Sequence, residues 1–215
     1  MEESVHQESP WSVKPGHFGS GSENIHVFKN FIADKDVEKI NSFARTISEW
    51  SNGSDEDIFD ENGVCTYSAA YWNNRQCTWE ILQRTNEEVH DLIDFYIDKM
   101  AEVAGDVFKC TLQKRPPCIV RWFKGIEQQP HADKQMNDGS PNPFINYDIN
   151  SLFYWNDDFE GGELYYPQHD IVVKPEPGLA VLHPGDINYL HGVKMVTFGE
   201  RFTTPAFYTV KSFLE

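Results

Sequence analysis

The first half of the chain has apolar residues at the spacing of an amphipathic helix. In the segment from 33 to 50, ADKDVEKINSFARTISEW, one apolar stripe is formed by Val37, Ile40, Phe43, Ala44 and Ile47. Residues three or four positions apart lie on the same face of an α-helix. Asp34 stands just before the stripe, where a short polar side chain can accept a hydrogen bond from the first turn. We therefore expect a helix with Asp34 as its N-cap.

A second helical pattern covers residues 85–105, TNEEVHDLIDFYIDKMAEVAG. Thr85 and Glu88 have the spacing of a capping box, in which each side chain bonds the backbone N–H of the other residue. Gly105 suits the end of a helix because glycine readily adopts a left-handed conformation. The apolar stripe consists of Val89, Leu92, Ile93, Tyr96, Ile97 and Met100. Residues 25–118 are thus expected to supply supporting helices and early strands.

The second half of the chain changes to short apolar runs separated by turn sequences. Between 179 and 210, Pro-Gly, Gly-Asp and Phe-Gly pairs separate runs of strand type. This pattern predicts an antiparallel sheet. Upstream, Gly161 and Gly162 mark a turn, a bulge or a close approach of two backbones. Residues 163–167 then resume an alternating strand.

Length and composition favour a single domain from 1 to 215. A chain of 215 residues can form one β-sandwich or barrel with added helices, and its 15 Phe, nine Tyr and six Trp provide a large aromatic core. Residues 1–24, rich in polar residues, Ser, Gly and Pro, are expected to form a loosely packed N-terminal arm. The start of the sequence lacks the basic and apolar regions of a signal peptide, and no apolar run has the length of a membrane span.

Charge and cysteine content restrict the expected partners. A formal net charge of −16 opposes binding to nucleic-acid phosphates, which requires a basic surface. The charge either favours solubility, which is the interpretation we prefer, or attracts a basic protein or peptide. The four cysteines, Cys65, Cys77, Cys110 and Cys118, lack the spacing of a disulfide framework. We expect a reducing, cytoplasmic environment and neither a nucleic-acid nor a membrane partner.

Three residues of metal-ligand type stand out in the second half: His131 and Asp133 in QQPHADKQ, and His191 in NYLHGVKM. In an extended strand, His131 and Asp133 would face the same side and could bind one ion, with His191 arriving from another strand. Two imidazoles and one carboxylate form the ligand set of non-haem Fe(II) oxygenases. The H-x-D motif and His191 are each weak evidence for a metal site when taken alone. An H-x-D sequence is common by chance, and a single histidine on an apolar strand is usually a core residue.

Longer motifs accompany these residues in a fixed order. The H-x-D motif is followed by NDDFEGGELYYP, then by V-x-P-x-x-G, and then by HGV-x-x-V-x-x-G-x-RF. In this order they resemble the 2-oxoglutarate and Fe(II)-dependent oxygenases of the prolyl 4-hydroxylase superfamily, over roughly residues 119–210. The resemblance implies a mainly β chain with flanking helices (α+β). Its expected fold is a double-stranded β-helix, or jelly roll, of two antiparallel sheets with helices packed outside and a metal-binding core at 119–210.

The same resemblance implies a reaction and a set of site residues. The reaction would be oxidative decarboxylation of 2-oxoglutarate to succinate and CO2, coupled to hydroxylation of a second substrate by O2. His131, Asp133 and His191 would hold Fe(II), which ascorbate would help to keep reduced. Arg201, ten positions beyond His191, would bind the far carboxylate of 2-oxoglutarate by two parallel hydrogen bonds. Thr203, on the same strand face, would add a further bond.

Two positions depart from many members of that superfamily. Arg201 replaces a lysine, which keeps the positive charge. Trp122 replaces a tyrosine whose phenol often reaches 2-oxoglutarate, and is expected to supply an indole N–H donor or a packing wall. Asn150 stands where relatives often have a small polar residue and is expected to face the cosubstrate. His183 and His169 are expected to serve turn or wall roles.

The motifs leave the second substrate open. The resemblance favours a prolyl residue in a peptide or protein, with a free amino acid or small metabolite as the alternative. A zinc-dependent jelly-roll enzyme would not need Arg201, and a non-catalytic binding module would be expected to have lost a ligand. The irregular segments 51–63 and 134–148 are candidates for lids or recognition loops, or for solvated connectors. Because the second begins beside Asp133, we expect it to face the substrate.

Overall fold

The computed structural model describes residues 10–54, 56–59 and 63–214, which contain three α-helices and fifteen β-strands. The helices are α1 (Asp34–Thr46), α2 (Trp79–Thr85) and α3 (Glu87–Phe108). The strands are β1 (His26–Phe28), β2 (Ile58–Phe59), β3 (Cys65–Tyr67), β4 (Gln76–Cys77), β5 (Cys110–Lys114), β6 (Ile119–Phe123), β7 (Gln128–His131), β8 (Ile149–Tyr154), β9 (Glu160–Gly161), β10 (Leu164–Tyr166), β11 (Ile171–Val173), β12 (Ala180–Pro184), β13 (His191–Val193), β14 (Val196–Phe198) and β15 (Glu200–Phe213).

Two antiparallel sheets form the body of the molecule. The seven-stranded sheet has the order β1-β12-β8-β15-β6-β4, with β5 paired to β15, and the four-stranded sheet has the order β11-β10-β13-β7. Strands β2 and β3 form a separate pair, as do β9 and β14. The helices pack together and α3 lies against β5. This architecture confirms the expected jelly roll with helices on its outside.

The two faces of the large sheet carry different side chains. On β15, Phe202 and Tyr208 belong to the main hydrophobic core, which they share with buried residues of the helices such as Ile97. The alternate residues of β15, including Arg201 and Thr203, line a cavity on the other face. Because successive residues of a strand point to opposite faces, one strand both seals the helical core and supplies polar groups to the cavity.

Helix α1 begins one residue earlier than predicted. Asp34 is its first helical residue, and Ala33 occupies the N-cap without a side-chain hydrogen bond. The prediction of Asp34 as the cap is therefore wrong. Its carboxylate lies in the first turn, where the positive end of the helix dipole favours a negative charge.

Helix α3 is capped by Asn86, whose side-chain oxygen accepts a hydrogen bond from the N–H of Val89 at 3.1 Å. The predicted capping box of Thr85 and Glu88 is wrong. Thr85 instead ends α2, a short helix that the sequence analysis did not predict, and its hydroxyl donates back to the carbonyl of Ile81 at 2.5 Å. The apolar stripe of the long helix was predicted correctly, whereas its start was not.

The predicted end of α3 at Gly105 is also wrong. The helix continues to Phe108 and ends where Lys109 adopts a left-handed conformation, with φ of 53°. A Cβ atom at Gly105 would lie 2.8 Å from the carbonyl oxygen of Cys110. The glycine is thus needed for close approach of the chain as it turns into β5, and not for its own backbone conformation.

Residues 10–24 are not the loosely packed arm that the sequence suggests. Val13 is buried, and its carbonyl accepts a hydrogen bond from Lys134 Nζ at 2.7 Å. The N–H of Gly16 donates to the Asp186 carboxylate at 2.8 Å. Residues 1–9 of the predicted arm lie outside the described residues.

The glycine pair at 161–162 has the role that the sequence indicated. Both residues have positive φ, and a Cβ atom at Gly161 would lie 2.0 Å from the carbonyl oxygen of Met195. The glycine therefore allows the backbones of β9 and β14 to meet. Among the described residues, no helix is both long enough and apolar enough to cross a membrane.

Candidate metal and carboxylate site

Strand pairing brings two histidines together. His131 is the last residue of β7 and His191 is the first residue of β13, and the two are directly opposite in the antiparallel ladder. Their ring centroids are 4.6 Å apart. The small sheet thus joins residues that are sixty positions apart in the sequence.

Asp133 lies beyond the end of β7, in the turn that follows it. The prediction that strand alternation aligns Asp133 with His131 is therefore wrong, although the two side chains do meet. The N–H of Asp133 donates to the carbonyl of Gly185 at 3.1 Å, which fixes the turn. One carboxylate oxygen is 3.7 Å from His131 Nε2, and the other is 3.5 Å from His191 Nε2. Ligand atoms of the three residues lie within 4.8 Å of one another.

Both imidazoles are oriented by backbone carbonyl groups. His131 Nδ1 lies 3.1 Å from the carbonyl oxygen of Gln129, and His191 Nδ1 lies 3.1 Å from that of Tyr189. Because a carbonyl oxygen only accepts, each Nδ1 carries the hydrogen and each Nε2 presents a lone pair. A metal-binding histidine is usually held in this way by the nitrogen that does not face the ion.

The electrostatics of the cluster suit a cation. Burial opposes ionisation of Asp133, but His191 and His131 outweigh it and hold the pKa of the carboxyl group well below its usual range. Burial lowers the pKa of His191 to about 3, against the opposing effect of Asp133. At neutral pH, Asp133 is therefore a carboxylate and His191 a neutral imidazole, the forms in which both side chains bind metal ions. Burial lowers the pKa of His131, but Asp133 raises it more.

Arg201 is a buried cation without a carboxylate partner among the described residues. It has no exposed surface, and its guanidinium group lies 4.9 Å from the ring of Trp122 and 5.1 Å from that of Tyr154. Its two Nη atoms each make one long contact of 3.5 Å, to the hydroxyls of Thr203 and Tyr154, and Nε has no partner. A buried charge is costly unless it is paired, so this group fits an anionic ligand.

One cavity of about 300 Å³ contains both features. Among the residues that the structure describes, Asp133 is the only carboxylate that lines it and Arg201 is the only Arg or Lys. The structure brings all seven residues predicted for the site to the wall of this cavity: Trp122, His131, Asp133, Asn150, His191, Arg201 and Thr203. Their roles as ligands stay predictions.

Trp122 and Asn150 also bond other residues of this set. The indole N–H of Trp122 donates to the Thr203 hydroxyl at 3.2 Å, so Trp122 acts as a wall and supports Thr203. Asn150 Nδ2 donates to Asp133 Oδ2 at 2.5 Å.

His183, expected to be a wall residue, is buried with its ring centroid 4.5 Å from that of His191. Its Nδ1 faces the carbonyl of Pro184 at 2.9 Å.

The sequence analysis missed Tyr154, whose buried phenol contacts Arg201. Tyr154 and Asn150 are four positions apart on β8, so strand alternation places them on the same face. That spacing was the available signal. Four aromatic residues that the sequence did not indicate also line the cavity: Trp72, Phe144, Tyr147 and Phe207. The last three form a stack that no local sequence pattern shows.

Comparisons with known proteins give the class of fold. No protein-family model matches the sequence, and no curated protein matches it. A viral collagen prolyl hydroxylase from Paramecium Bursaria Chlorella virus-1, in complex with 2-oxoglutarate, has a TM-score of 0.55 and 15% identity, covering 86% of this chain and 95% of that one. A truncated form of that protein has a TM-score of 0.58 and 13% identity, covering 99% of both chains.

A prolyl hydroxylase from Trichoplax adhaerens, bound to a peptide of hypoxia inducible factor, has a TM-score of 0.59 and 16% identity. The match covers 86% of this chain and 83% of that one. At such identities the likeness shows the fold alone. The chain has the double-stranded β-helix fold of the prolyl hydroxylase-like oxygenases, as the sequence motifs predicted.

Proposed function

We propose that this chain is a single-domain oxygenase that depends on Fe(II) and 2-oxoglutarate. The observation that carries the proposal is the cavity that contains both the His131–Asp133–His191 triad and the unpaired guanidinium of Arg201. A triad alone would suit several metals. A triad together with a buried, unpaired cation suits a metal that binds a carboxylate-bearing cosubstrate.

The ligand set fits ferrous iron. Two neutral imidazoles and one carboxylate are the donors of the facial triad, which leaves further positions of an octahedral ion open. Zinc also accepts this set, with water as the fourth ligand. A zinc enzyme, however, would not need Arg201 to bind the carboxylate of a cosubstrate. A buried guanidinium group that binds no anion would only destabilise the fold. We therefore favour iron.

The polar wall around Arg201 fits the far carboxylate of 2-oxoglutarate. A guanidinium group can hold a carboxylate by two parallel hydrogen bonds, and the hydroxyls of Thr203 and Tyr154 lie beside it. When bound, Fe(II) and 2-oxoglutarate supply oxidative decarboxylation by O2, which yields succinate and CO2 and hydroxylates a second substrate. The residues of the chain bind and orient these groups, and the aromatic walls keep water out. Ascorbate is the proposed reductant.

We propose a prolyl residue of a peptide or protein as the second substrate. The rings of Phe144, Tyr147 and Phe207 form a stack along the cavity, with centroid distances of 5.2 and 4.2 Å. An uncharged, apolar ring fits such a wall, and within the described part of the chain no lining carboxylate other than Asp133 could pair with an ammonium group. Phe144 and Tyr147 belong to the 134–148 segment, in line with a substrate-facing role for that segment. The two prolyl hydroxylases of similar fold add support.

A free amino acid or small metabolite is the second candidate. A free amino acid carries an ammonium and a carboxylate group, and each would need a partner in the cavity. Succinate release above the uncoupled background distinguishes the two candidates when proline-containing peptides are compared with free proline and small metabolites. Release with metabolites only would reject the peptide proposal. A cytoplasmic location stays a prediction.

Substitution of a single triad residue tests the reaction class. The wild type, given Fe(II), 2-oxoglutarate and oxygen, is expected to release succinate slowly without a second substrate and to show a metal-to-ligand absorption band under anaerobic conditions. His131→Ala is expected to lose iron binding, the band and the turnover. His169→Ala is the matched control, because His169 lies outside the cavity and bonds the carbonyl of Asn188.

Three results would contradict the reaction class. They are equal iron occupancy in the wild type and His131→Ala, absence of the absorption band in the wild type, and a hydrolytic activity that zinc restores. The last result would favour the zinc enzyme. Specific peptide binding without turnover would favour a binding module.

A further inference from the structure

Asp133 depends on residues outside β7 for its position. It lies in the turn after β7, where its N–H donates to the carbonyl of Gly185 at 3.1 Å and its own carbonyl accepts a hydrogen bond from Asn142 Nδ2 at 3.0 Å. Both of these bonds involve the backbone of Asp133 and neither involves its carboxylate, whereas His131 and His191 are held by the ladder between β7 and β13. A carboxylate must be fixed in direction to bind an ion together with two imidazoles.

Asn150 supplies the missing restraint. It lies within β8, which pairs with β12 and β15 on either side, and its side chain is buried. Its Nδ2 is 2.5 Å from Asp133 Oδ2, the shortest distance between Asp133 and any of its neighbours described above. Because an ionised carboxylate only accepts, the amide must present its NH2 group to Asp133. The orientation of the amide is therefore determined by its partner.

Gly185 confines the amide from the other side. A Cβ atom at Gly185 would lie 2.8 Å from Asn150 Nδ2 and 2.0 Å from the carbonyl oxygen of Tyr147. The carbonyl of Gly185 also accepts hydrogen bonds from the N–H groups of Asp133 and Lys134, at 3.1 Å each. The turn that carries Asp133, the end of β12 and the start of β8 thus meet at Asn150.

We propose that Asn150 is a positioning residue for Asp133. By donating to Oδ2, it fixes the rotation of the carboxylate and directs it at the space that Asp133 shares with His131 and His191. This inference rests on the proposed metal site and adds to it a residue that does not contact the ion. It also gives Asn150 a different task from the one expected from the sequence, which was to face the cosubstrate.

The test separates metal binding from cosubstrate binding. Asn150→Leu has a similar shape and cannot donate. Its affinity for Mn(II), used as a redox-stable probe and measured by calorimetry on the full-length protein, is expected to fall about 10- to 100-fold. At saturating Mn(II), its affinity for 2-oxoglutarate is expected to stay within about threefold of wild type, because Arg201 and Thr203 are unchanged. General damage to the cavity would instead weaken the affinity for Mn(II) and the affinity for 2-oxoglutarate together.

A neighbouring substitution controls for damage to β8. Ser151→Ala changes the next residue of the strand, whose hydroxyl bonds Tyr208 and not Asp133, and is expected to keep wild-type Mn(II) affinity. Circular dichroism and thermal melting verify folding of each variant. If Asn150→Leu does not fold, Asn150→Thr replaces it, because threonine suits a strand and its shorter side chain does not reach the position of Nδ2.

The outcomes distinguish this inference from the proposed function. Unchanged Mn(II) affinity in Asn150→Leu overturns the inference. If the same variant also binds 2-oxoglutarate more weakly, Asn150 faces the cosubstrate, as expected from the sequence. A wild type that binds Mn(II) but never decarboxylates 2-oxoglutarate rejects the oxygenase. The Mn(II) affinities of the variants then still decide the role of Asn150. A wild type that binds no Mn(II) overturns both the proposed oxygenase function and the positioning role of Asn150.

Discussion

At the scale of single residues, Arg201 is the clearest indication of a ligand. Its guanidinium group is fully buried beside two aromatic rings, and its two Nη atoms make one long contact each, to the hydroxyls of Thr203 and Tyr154. Burial lowers its pKa, but an arginine side chain stays charged at neutral pH. A buried charge with such weak compensation destabilises the protein unless a ligand neutralises it. We therefore expect affinity for a dicarboxylate to depend strongly on this side chain.

Arg201→Leu is expected to weaken 2-oxoglutarate binding about 10- to 150-fold, which corresponds to the loss of about 1.5–3 kcal/mol from charge-assisted hydrogen bonds. Arg201→Lys keeps the positive charge but cannot form the two parallel hydrogen bonds, and its affinity for 2-oxoglutarate is expected to fall less than that of Arg201→Leu. Mn(II) affinity should change little in either variant, because Arg201 is not part of the triad. Calorimetry with 2-oxoglutarate at saturating Mn(II) measures the effect. Wild-type affinity in Arg201→Leu would remove Arg201 from the proposed site.

At the scale of elements, the start of α3 shows how two neighbouring polar residues compete for one role. Thr85 is the last residue of α2 and Asn86 follows it, and both residue types are good N-caps. The hydroxyl of Thr85 points back to the carbonyl of Ile81 in the preceding turn, whereas the side chain of Asn86 accepts from the N–H of Val89. The existence of α2, which the sequence analysis missed, therefore decides where α3 begins.

Asn86→Ala is expected to lower the free energy of unfolding by about 1 kcal/mol, because an N–H of the first turn loses its acceptor. Thr85→Ala is the matched control and is expected to change it by less than about 0.5 kcal/mol, since the residue is exposed at the end of α2. Urea unfolding followed by circular dichroism provides both values. A larger cost for Thr85→Ala would favour the capping box instead.

At the scale of the whole molecule, the N-terminal segment and the candidate site share one buried network. Lys134, next to Asp133, donates to Asp148 at 2.5 Å and to the carbonyl of Val13, and both charged side chains are almost fully buried. Asp148 also accepts hydrogen bonds from the Ser12 hydroxyl and the N–H of Val210. Segments from both ends of the chain thus meet beneath the turn that carries Asp133.

Lys134→Met is expected to destabilise the protein by about 3 kcal/mol, because it leaves the buried Asp148 carboxylate without its counter-ion. Lys29→Met is the matched control. It breaks the exposed pair with Glu176 and is expected to cost less than about 1 kcal/mol. Thermal and urea unfolding measure both variants. If Lys134→Met and Lys29→Met lower the free energy of unfolding by similar small amounts, the buried network does not stabilise the fold.

The sequence by itself determined the class of fold, the apolar stripes of α1 and α3, and the residues that would meet at the site. These features depend on local periodicity and on motifs in a fixed order, both of which can be read along the chain. Strand alternation also placed Arg201 and Thr203 on one face correctly. The glycine pair indicated a turn, a bulge or a close approach of two backbones, and the structure shows the close approach at Gly161.

Only the tertiary structure decided how those residues meet. Asp133 reaches the histidines through a turn held by Gly185, Asn150 bonds Asp133, and Tyr154 lies beside Arg201. The N-terminal segment is ordered by a buried lysine and aspartate far along the chain. Each of these contacts joins positions whose distance in sequence carries no periodic signal. They form because burial requires every polar group to find a partner, and the fold alone determines which partners lie within reach.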